Sequence, residues 1–175
     1  MFENAEEVLR QQQEEELQLI VFELDNQEFT LPIMSVQEII MMTTPNKLPK
    51  APDYLEGVIN LRNRIIPIID GRKKFKLDLV SSKDFLESKI IVLNIHNETV
   101  GFTVDKVSEV IHLNSKNIEP PPVDLSVDAE FLRGVGKYKD RLLMLIDPEK
   151  ILTKEETAGL QNVSNRQGNL ACSVS

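Results

Sequence analysis

The sequence predicts a mainly β fold made of two pseudo-repeated units, each a small barrel of five strands with a short helix. Short apolar and β-branched runs alternate with turn signals such as Asp25-Asn26. The chain also aligns with itself over most of its central part. A unit of half this length buries too little surface to be stable alone, and short strands avoid open edges by curling into barrels. We therefore expect two barrels that share a core.

The internal alignment carries the prediction of a repeat. The stretch 19–40 aligns with 90–111 without gaps, and Glu38 falls on Glu109. After an insertion near Pro120, the alignment resumes with 54–58 on 131–135 and 64–70 on 141–147. Matched apolar residues would be weak evidence, but the matches include Gly, Glu, Arg and Asp. An insertion in a connection is tolerated because loops lie at the surface.

The elements of the first unit follow in order. Residues 19–24 form the first predicted strand, and 29–42 contain two more. Three prolines, Pro45, Pro49 and Pro52, then favour an extended connection. Residues 57–62 and 64–70 predict a hairpin turned at Asn63, and the second strand is apolar almost throughout, so both of its faces should be covered.

The second unit ends with a predicted helix. Asp147-Pro148 supplies an N-cap carboxylate followed by proline at the first helical position, which predicts a helix over 148–156. Residues 71–75 are its weaker counterpart. We place barrel one at about 18–80 and barrel two at about 86–156, flanked by a flexible acidic, Gln-rich segment 1–17 and a flexible tail 157–175.

The charge and the terminal sequences restrict the function classes. The formal net charge of −8 argues against nucleic acid as a partner. The basic cluster Arg72, Lys73, Lys74 and Lys76 is interpreted as a solvated helix face. No apolar run approaches the roughly 20 residues of a membrane span, and the N-terminus lacks the basic start and apolar core of a secretory signal. A cytoplasmic protein without membrane insertion is expected.

The sequence offers no convincing catalytic or metal site. His96 and His112 fall at a turn and at a strand end, and Cys172 stands alone in a polar tail. No zinc-protease helix, CxxC pair, phosphate loop or nucleophile elbow is present. We therefore predict that the protein is not an enzyme and needs neither a cofactor nor a metal.

Glu38 is the residue that most needs an explanation. On a strand it would share a face with Val36 and Ile40, where a carboxylate should find a cation, and Arg62 is the obvious candidate. The pair is either an internal ion pair or a polar pair at the rim of an apolar groove, and both can hold. Gly57 and its equivalent Gly134 indicate either a turn or a close backbone approach.

The segment 57–70, Gly-Val-Ile-Asn-Leu-Arg-Asn-Arg-Ile-Ile-Pro-Ile-Ile-Asp, closely resembles the signature of the CheW family. The flanks 36–40, 131–135 and 143–152 agree with the family, so the resemblance covers about 18–155. Two positions depart from the pattern. The family usually has glycine where Asn63 stands and leucine where Gly71 stands, and the second change should loosen the short helix that follows barrel one.

The resemblance implies two intertwined SH3-like barrels and a non-enzymatic chemotaxis adaptor. The family bridges the cytoplasmic tips of methyl-accepting receptors and the regulatory domain of the histidine kinase CheA, and further CheW copies can join in membrane-associated arrays. By residue match, the implied receptor-binding positions are Ile33, Val36, Glu38, Gly57, Arg62 and Ile65. The implied kinase contacts, more loosely placed, are Ile39, Met41 and Leu48.

The expected mechanism is recognition of an amphipathic helix in the trough between the barrels. Two other functions stay open at this point. The chain could be the CheW-like part of a CheV-type adaptor, although no receiver domain follows in this sequence. A small nucleic-acid-binding barrel is the alternative from a different class.

Overall fold

The computed structural model describes residues 15–77, 84–121 and 130–160, and this part of the chain is mainly β. The strands are β1 (Glu16–Leu24), β2 (Gln27–Pro32), β3 (Val36–Met41), β4 (Leu55–Leu61), β5 (Arg64–Asp70), β6 (Lys89–Ile95), β7 (Glu98–Val104), β8 (Lys106–Asn114), β9 (Ile118–Glu119), β10 (Leu132–Tyr138) and β11 (Arg141–Ile146). The predicted mainly β class is confirmed.

The strands form two sheets, and each sheet combines both sequence repeats. Lobe 1 has the strand order β8-β1-β2-β11-β10-β9, and lobe 2 has the order β3-β6-β7-β5-β4. Lobe 1 thus combines β1 and β2 of the first repeat with β8–β11 of the second. Lobe 2 combines β6 and β7 of the second repeat with β3–β5 of the first. The ranges 18–80 and 86–156, placed as barrels one and two, therefore each contribute strands to both lobes. The chain crosses from lobe 1 to lobe 2 through the 3-10 turn Ile33–Ser35.

The strand registers obey the sequence repeat. Leu19 pairs with Ile111 in lobe 1, and the equivalent residues Ile90 and Ile40 pair in lobe 2. A bulge interrupts both ladders at the same place, between Val36 and Glu38 on β3 and opposite the Val21/Phe22 step of β1. Equivalent pairing of equivalent residues confirms the predicted duplication.

Both faces of the central strands are buried. On β6, Ile90 and Val92 point into the interior of lobe 2, whereas Ile91 and Leu93 point into a larger core shared by the lobes. This alternation explains why such strands are apolar at nearly every position. Five aromatic rings pack together in or against the shared core: Phe22, Phe29, Phe75, Phe102 and Phe131.

Four hairpins use the same two-residue turn. Asp25-Asn26, Arg62-Asn63, His96-Asn97 and Lys139-Asp140 all have positive φ at both positions. Such turns match the right-handed twist of the flanking strands. Asn63 therefore replaces the family's glycine without loss, since asparagine tolerates this backbone region. Arg62, expected on the strand, is instead the first residue of its turn.

The short helix after lobe 2 strand β5 is intact, which corrects the expectation that Gly71 would loosen it. The helix spans Gly71–Lys74, and the Asp70 side chain accepts hydrogen bonds from the Arg72 and Lys73 amides. A Cβ at Gly71 would lie 2.4 Å from the Thr103 carbonyl oxygen. In this chain glycine is what lets the helix approach β7.

The basic cluster is a solvated face only in part: Lys73 and Lys76 are exposed, but Arg72 and Lys74 are not. Arg72 is buried with 3% of its side chain exposed, and its guanidinium pairs with Asp105 at 2.6 Å. Lys74 is largely buried and bonds Glu156. The sequence pattern of four cations could not distinguish these positions, because the acidic partners come from distant turns and from the C-terminal helix.

The predicted helix over 148–156 is divided in two. Pro148–Lys150 forms a 3-10 turn capped by Asp147, and a helix then covers 154–160. Thr153 and Glu156 form a capping box, which starts the helix there. Leu160 is buried against the shared core, so the fold continues beyond the predicted boundary at 156. At the other end, β1 begins at Glu16 rather than residue 18. The rest of the two predicted flexible ends, 1–14 and 161–175, lies outside the described residues.

Glu156 fastens this helix to the first repeat. Burial acts to raise the pKa of its carboxyl, but hydrogen bonds from Lys74, the Thr153 amide and Tyr54 outweigh burial and lower it. The Lys74 ammonium also lies 4.2 Å from the centre of the Tyr54 ring. Because the folded-state pKa is depressed, this stabilisation is present above the pKa of the unfolded carboxyl. It is lost as the pH falls through the folded-state value.

We expect Glu156→Gln to lower the free energy of unfolding by about 1 kcal/mol near neutral pH. The difference from the wild type should shrink as the pH falls towards about 4. Urea unfolding followed by circular dichroism at several pH values measures both. Glu155→Gln, at an exposed neighbouring position, is the matched control. An equal loss in the control, or a difference that does not change with pH, would contradict the assignment.

Candidate functional site

The rim of lobe 2 carries the predicted Glu38–Arg62 pair. Arg62 Nη2 lies 2.9 Å from Glu38 Oε2, and the side chains are 78% and 26% exposed, respectively. Glu38 is on β3 and Arg62 follows β4, the two outermost strands of the sheet. The contact therefore joins the two edges of the curled sheet. An exposed pair adds at most about 1 kcal/mol to stability, so this contact contributes little to holding the two edges together. The two predicted roles of the pair, an internal ion pair and a polar pair at a rim, both stay predictions.

The bulge in β3 changes which residues share a face. Val36 packs against the shared core, whereas Ile40 packs against the interior of lobe 2. The expectation that Val36, Glu38 and Ile40 share one face is therefore corrected, because the bulge at Gln37 inserts one residue and reverses the alternation. Val36 and Glu38 lie on opposite sides of the same edge strand.

Gly57 lies in β4, is buried, and is packed against the connection that contains Asn46. Its φ is +149°, and a Cβ there would lie 2.2 Å from the carbonyl oxygen of Asn46. At the equivalent Gly134, a Cβ would lie 2.7 Å from the carbonyl oxygen of Glu119. The two glycines therefore permit close approach of the preceding connection, and the interpretation of Gly57 as a turn residue is wrong.

The other two residues that were predicted to bind a receptor are half-buried. Ile65 lies on β5 opposite Asn60. Ile33 lies in the crossing turn and lines a groove of about 420 Å³. The remaining residues of that groove are Glu16, Leu17, Gln18, Leu19, Pro32, Met34, His112 and Arg133. Of the six predicted positions, the structure brings Glu38 and Arg62 into direct contact and places Ile33 and Val36 along one crossing segment.

The predicted kinase-contact residues differ in exposure. Met41 is 71% and Ile39 is 39% exposed, and both project from the same side of the outermost strand β3. Leu48 is half-buried against the shared core. It lines a groove of about 640 Å³ together with Met42 and Phe85. Ile39 and Met41 are therefore accessible to a partner, and Leu48 is accessible only through the groove.

Lobe 1 closes its equivalent rim differently. Arg141 lies 2.7 Å from Glu109 and also pairs with Glu28. The hydrogen bonds that Arg141 donates to Glu28 and then to Glu109 raise the pKa of Arg141, which keeps the guanidinium charged. In lobe 2 the equivalent Arg64 instead donates to Thr99 Oγ1 at 3.2 Å. Glu38 consequently pairs with the exposed turn residue Arg62.

The pairing of Arg141 with both Glu28 and Glu109 was not predicted from the sequence, although the repeat contained a signal for it. Arg141 aligns with Arg64, and Glu109 aligns with Glu38. Glu28 aligns with Thr99, so the second acidic partner of Arg141 has no acidic counterpart in the other repeat. The two rims thus differ in charge balance at equivalent positions.

Residues 15–77, 84–121 and 130–160 contain no group of three or more histidine, cysteine or acidic side chains placed to hold a metal ion. In the same ranges, no helix has the length and apolar character needed to cross a membrane.

Comparison with known proteins shows which family of proteins this chain is similar to. The family model described as CheW-like domain matches residues 18–156. Chemotaxis protein CheW of Klebsiella aerogenes is 38% identical over 148 residues, covering 84% of this chain and 88% of that protein. Chemotaxis protein CheW of Treponema pallidum is 32% identical over 154 residues, covering 86% and 90%, respectively.

A solved structure agrees with the fold. The crystal structure of scaffolding protein TtCheW from Thermoanaerobacter tengcongensis superposes with a TM-score of 0.74 at 33% identity, covering 81% of this chain and 97% of that one. The sequence matches span the whole duplicated region, and the solved structure is that of a scaffolding protein. With two intertwined β lobes and an exposed polar pair at one rim, the chain belongs to the CheW-like family of chemotaxis scaffolding proteins.

Proposed function

We propose that this protein couples methyl-accepting chemotaxis receptors to the histidine kinase CheA and performs no reaction itself. The observation that carries the proposal is the exposed Glu38–Arg62 pair, which adds little to stability and is open to a partner at the rim of lobe 2. Relatives named chemotaxis protein CheW support the pathway. In the cell, the protein would be cytoplasmic and recruited to receptor arrays, where further copies of it could join.

The receptor would dock as an amphipathic helical tip. Half-buried Ile33 and Ile65 would supply apolar contact area, and Glu38 with Arg62 would fix the orientation of the helix. Val36, on the opposite side of β3 from Glu38, would act indirectly by anchoring this strand to the shared core. A docked helix would exclude water from the ion pair, which strengthens its interaction with polar receptor groups. Gly57 would act indirectly, by holding the β3–β4 connection against β4.

The kinase would bind a different part of the same strand. Ile39 and Met41 are exposed on β3, and their side chains project away from Glu38. A receptor on the rim and a kinase on this apolar strip could therefore bind at the same time. Each contact would be modest alone and would gain strength by repetition in an array.

We expect Arg62→Ala to weaken receptor binding about tenfold while the melting temperature stays near that of the wild type. Co-sedimentation with a receptor cytoplasmic fragment and CheA, scored by kinase activation, measures the effect. Glu38→Ala should weaken binding similarly, and the double variant should lose less than the sum of the two because the residues are in contact.

Lys139→Ala is the matched control, since Lys139 occupies the Arg62 position in the lobe 1 hairpin. It should leave receptor binding unchanged. Normal receptor binding by Arg62→Ala, together with a clear loss of thermal stability, would show that the pair is structural and would refute the proposed receptor site.

A further inference from the structure

The junction between the lobes is held by two pseudo-equivalent pairs of opposite polarity. Asp25 and His96 open equivalent hairpin turns. Arg72 and Glu149 each lie two residues after an equivalent N-cap aspartate. Arg72 faces Asp25, and Glu149 faces His96. In the first repeat the hairpin residue is acidic and the residue after the N-cap is basic. In the second repeat the hairpin residue is basic and the residue after the N-cap is acidic.

The His96 ring has an oxygen acceptor beside each of its two nitrogens. Its Nδ1 lies 2.9 Å from Glu149 Oε2, and its Nε2 lies 2.9 Å from the carbonyl oxygen of Leu152. A carbonyl oxygen and an ionised carboxylate only accept hydrogen bonds, and a neutral imidazole has a single N–H. The ring can donate from Nε2 to Leu152 whether it is neutral or charged, but only the charged ring also attracts the Glu149 carboxylate beside Nδ1.

The pair at the other end of the junction needs no such proton. Arg72 stays charged at all relevant pH values and pairs with Asp105 as well as facing Asp25. Histidine, by contrast, is the side chain type that most readily gains or loses a proton near neutral pH. The two ends of the junction should therefore respond differently to pH.

His96 holds the segment that covers one side of the shared core. Ile151 and Leu152 of this segment are fully buried, and the helix over 154–160 follows them. The His96 amide also donates to Glu149 at 3.1 Å. Among the described residues, Glu149 is the charged group within ion-pair distance of the ring, while Glu98 on β7 and Lys150 on the 3-10 turn are its charged neighbours along the two elements.

We propose that His96 is a proton-dependent latch that fastens the C-terminal segment 147–160 to the β6–β7 turn. The charged imidazole closes the latch through Glu149 and Leu152. Loss of the proton removes the attraction to Glu149 and leaves a nitrogen lone pair beside that carboxylate. The segment therefore opens more often as the pH rises, whichever partners the protein binds.

Hydrogen exchange of the full chain at about pH 6 and about pH 8 tests the latch. The amides of Lys150, Ile151 and Thr157 donate within this segment, so they report its opening. After correction for intrinsic exchange rates, their protection should fall about threefold to tenfold from the lower to the higher pH. Strand amides of β10 serve as the internal reference and should not change.

His96→Asn should remove this pH dependence, because asparagine is uncharged and tolerates the positive φ of 49° at this position. Glu149→Gln should remove it too, since a neutral amide can either donate to or accept from the ring. His112→Asn is the control and should behave as the wild type does. Constant protection in the wild type, or an unchanged pH response in both His96→Asn and Glu149→Gln, would overturn the latch.

Discussion

Replacing Arg72 by alanine is expected to lower the free energy of unfolding by about 3–5 kcal/mol. The side chain is 3% exposed and pairs with Asp105 at 2.6 Å and with Asp25 at 3.9 Å. Its Nε also donates to both carboxylate oxygens of Asp105. The substitution removes the cation that neutralises two acidic groups at the lobe junction and leaves a cavity beside them. Both effects destabilise the folded state.

Chemical denaturation with an unchanged slope would give this difference directly. Arg72→Lys should recover only part of the loss, since an ammonium cannot reproduce the planar contact with both oxygens of Asp105. Lys73→Ala, next in sequence and half-exposed, should stay within about 0.5 kcal/mol of the wild type. If Arg72→Ala matched Lys73→Ala, the junction would not depend on this ion pair.

The strand exchange between repeats could not be predicted from the residue pattern. A first strand such as β1 carries the same alternation whether it pairs with the third strand of its own repeat or of the other. Leu19 would meet an isoleucine in either case, Ile40 or Ile111, because the repeats match there. Periodicity therefore predicts the ten longer strands but not the two-residue β9, which gives lobe 1 a sixth strand. The short crossing turn at Ile33–Ser35 decides which strands pair.

The sequence predicts which charged side chains of the candidate site pair, but it does not predict on which face of β3 each side chain lies. A carboxylate at Glu38 needs a cation, and Arg62 was the available one, so their contact followed from charge alone. The face occupied by Val36 did not follow, because a single bulged residue reverses every side chain beyond it. A bulge at Gln37 has no distinctive residue signature in the sequence.

The burial of Arg72 is a case in which sequence proximity misled. Four cations within five positions predict a solvated face, and Lys73 conforms to that expectation. Arg72 departs from it because the short helix places it against the turns that carry Asp25 and Asp105. Those turns belong to different repeats, so only the intertwined topology brings the three side chains together.

Gly57→Ala is expected to lower the free energy of unfolding by about 2–5 kcal/mol. The new methyl group would lie 2.2 Å from the Asn46 carbonyl oxygen and 2.7 Å from its carbon. These are backbone atoms, so relief requires moving the whole connection. That movement would weaken the two hydrogen bonds between Asn46 and Val58, which are 2.8 and 2.9 Å long. The φ of +149° adds strain for any residue with a Cβ.

Thermal and chemical unfolding should show this loss, and receptor binding should fall with it because the β3–β4 connection shifts. Gly159→Ala is the matched control, since a Cβ there has nothing within 4 Å and the residue lies in a helix. It should be neutral or slightly stabilising. A Gly57→Ala protein with wild-type stability but no receptor binding would mean that the partner contacts Gly57 itself. If Gly57→Ala lowers both the free energy of unfolding and receptor binding, the glycine acts by letting Asn46 lie against β4.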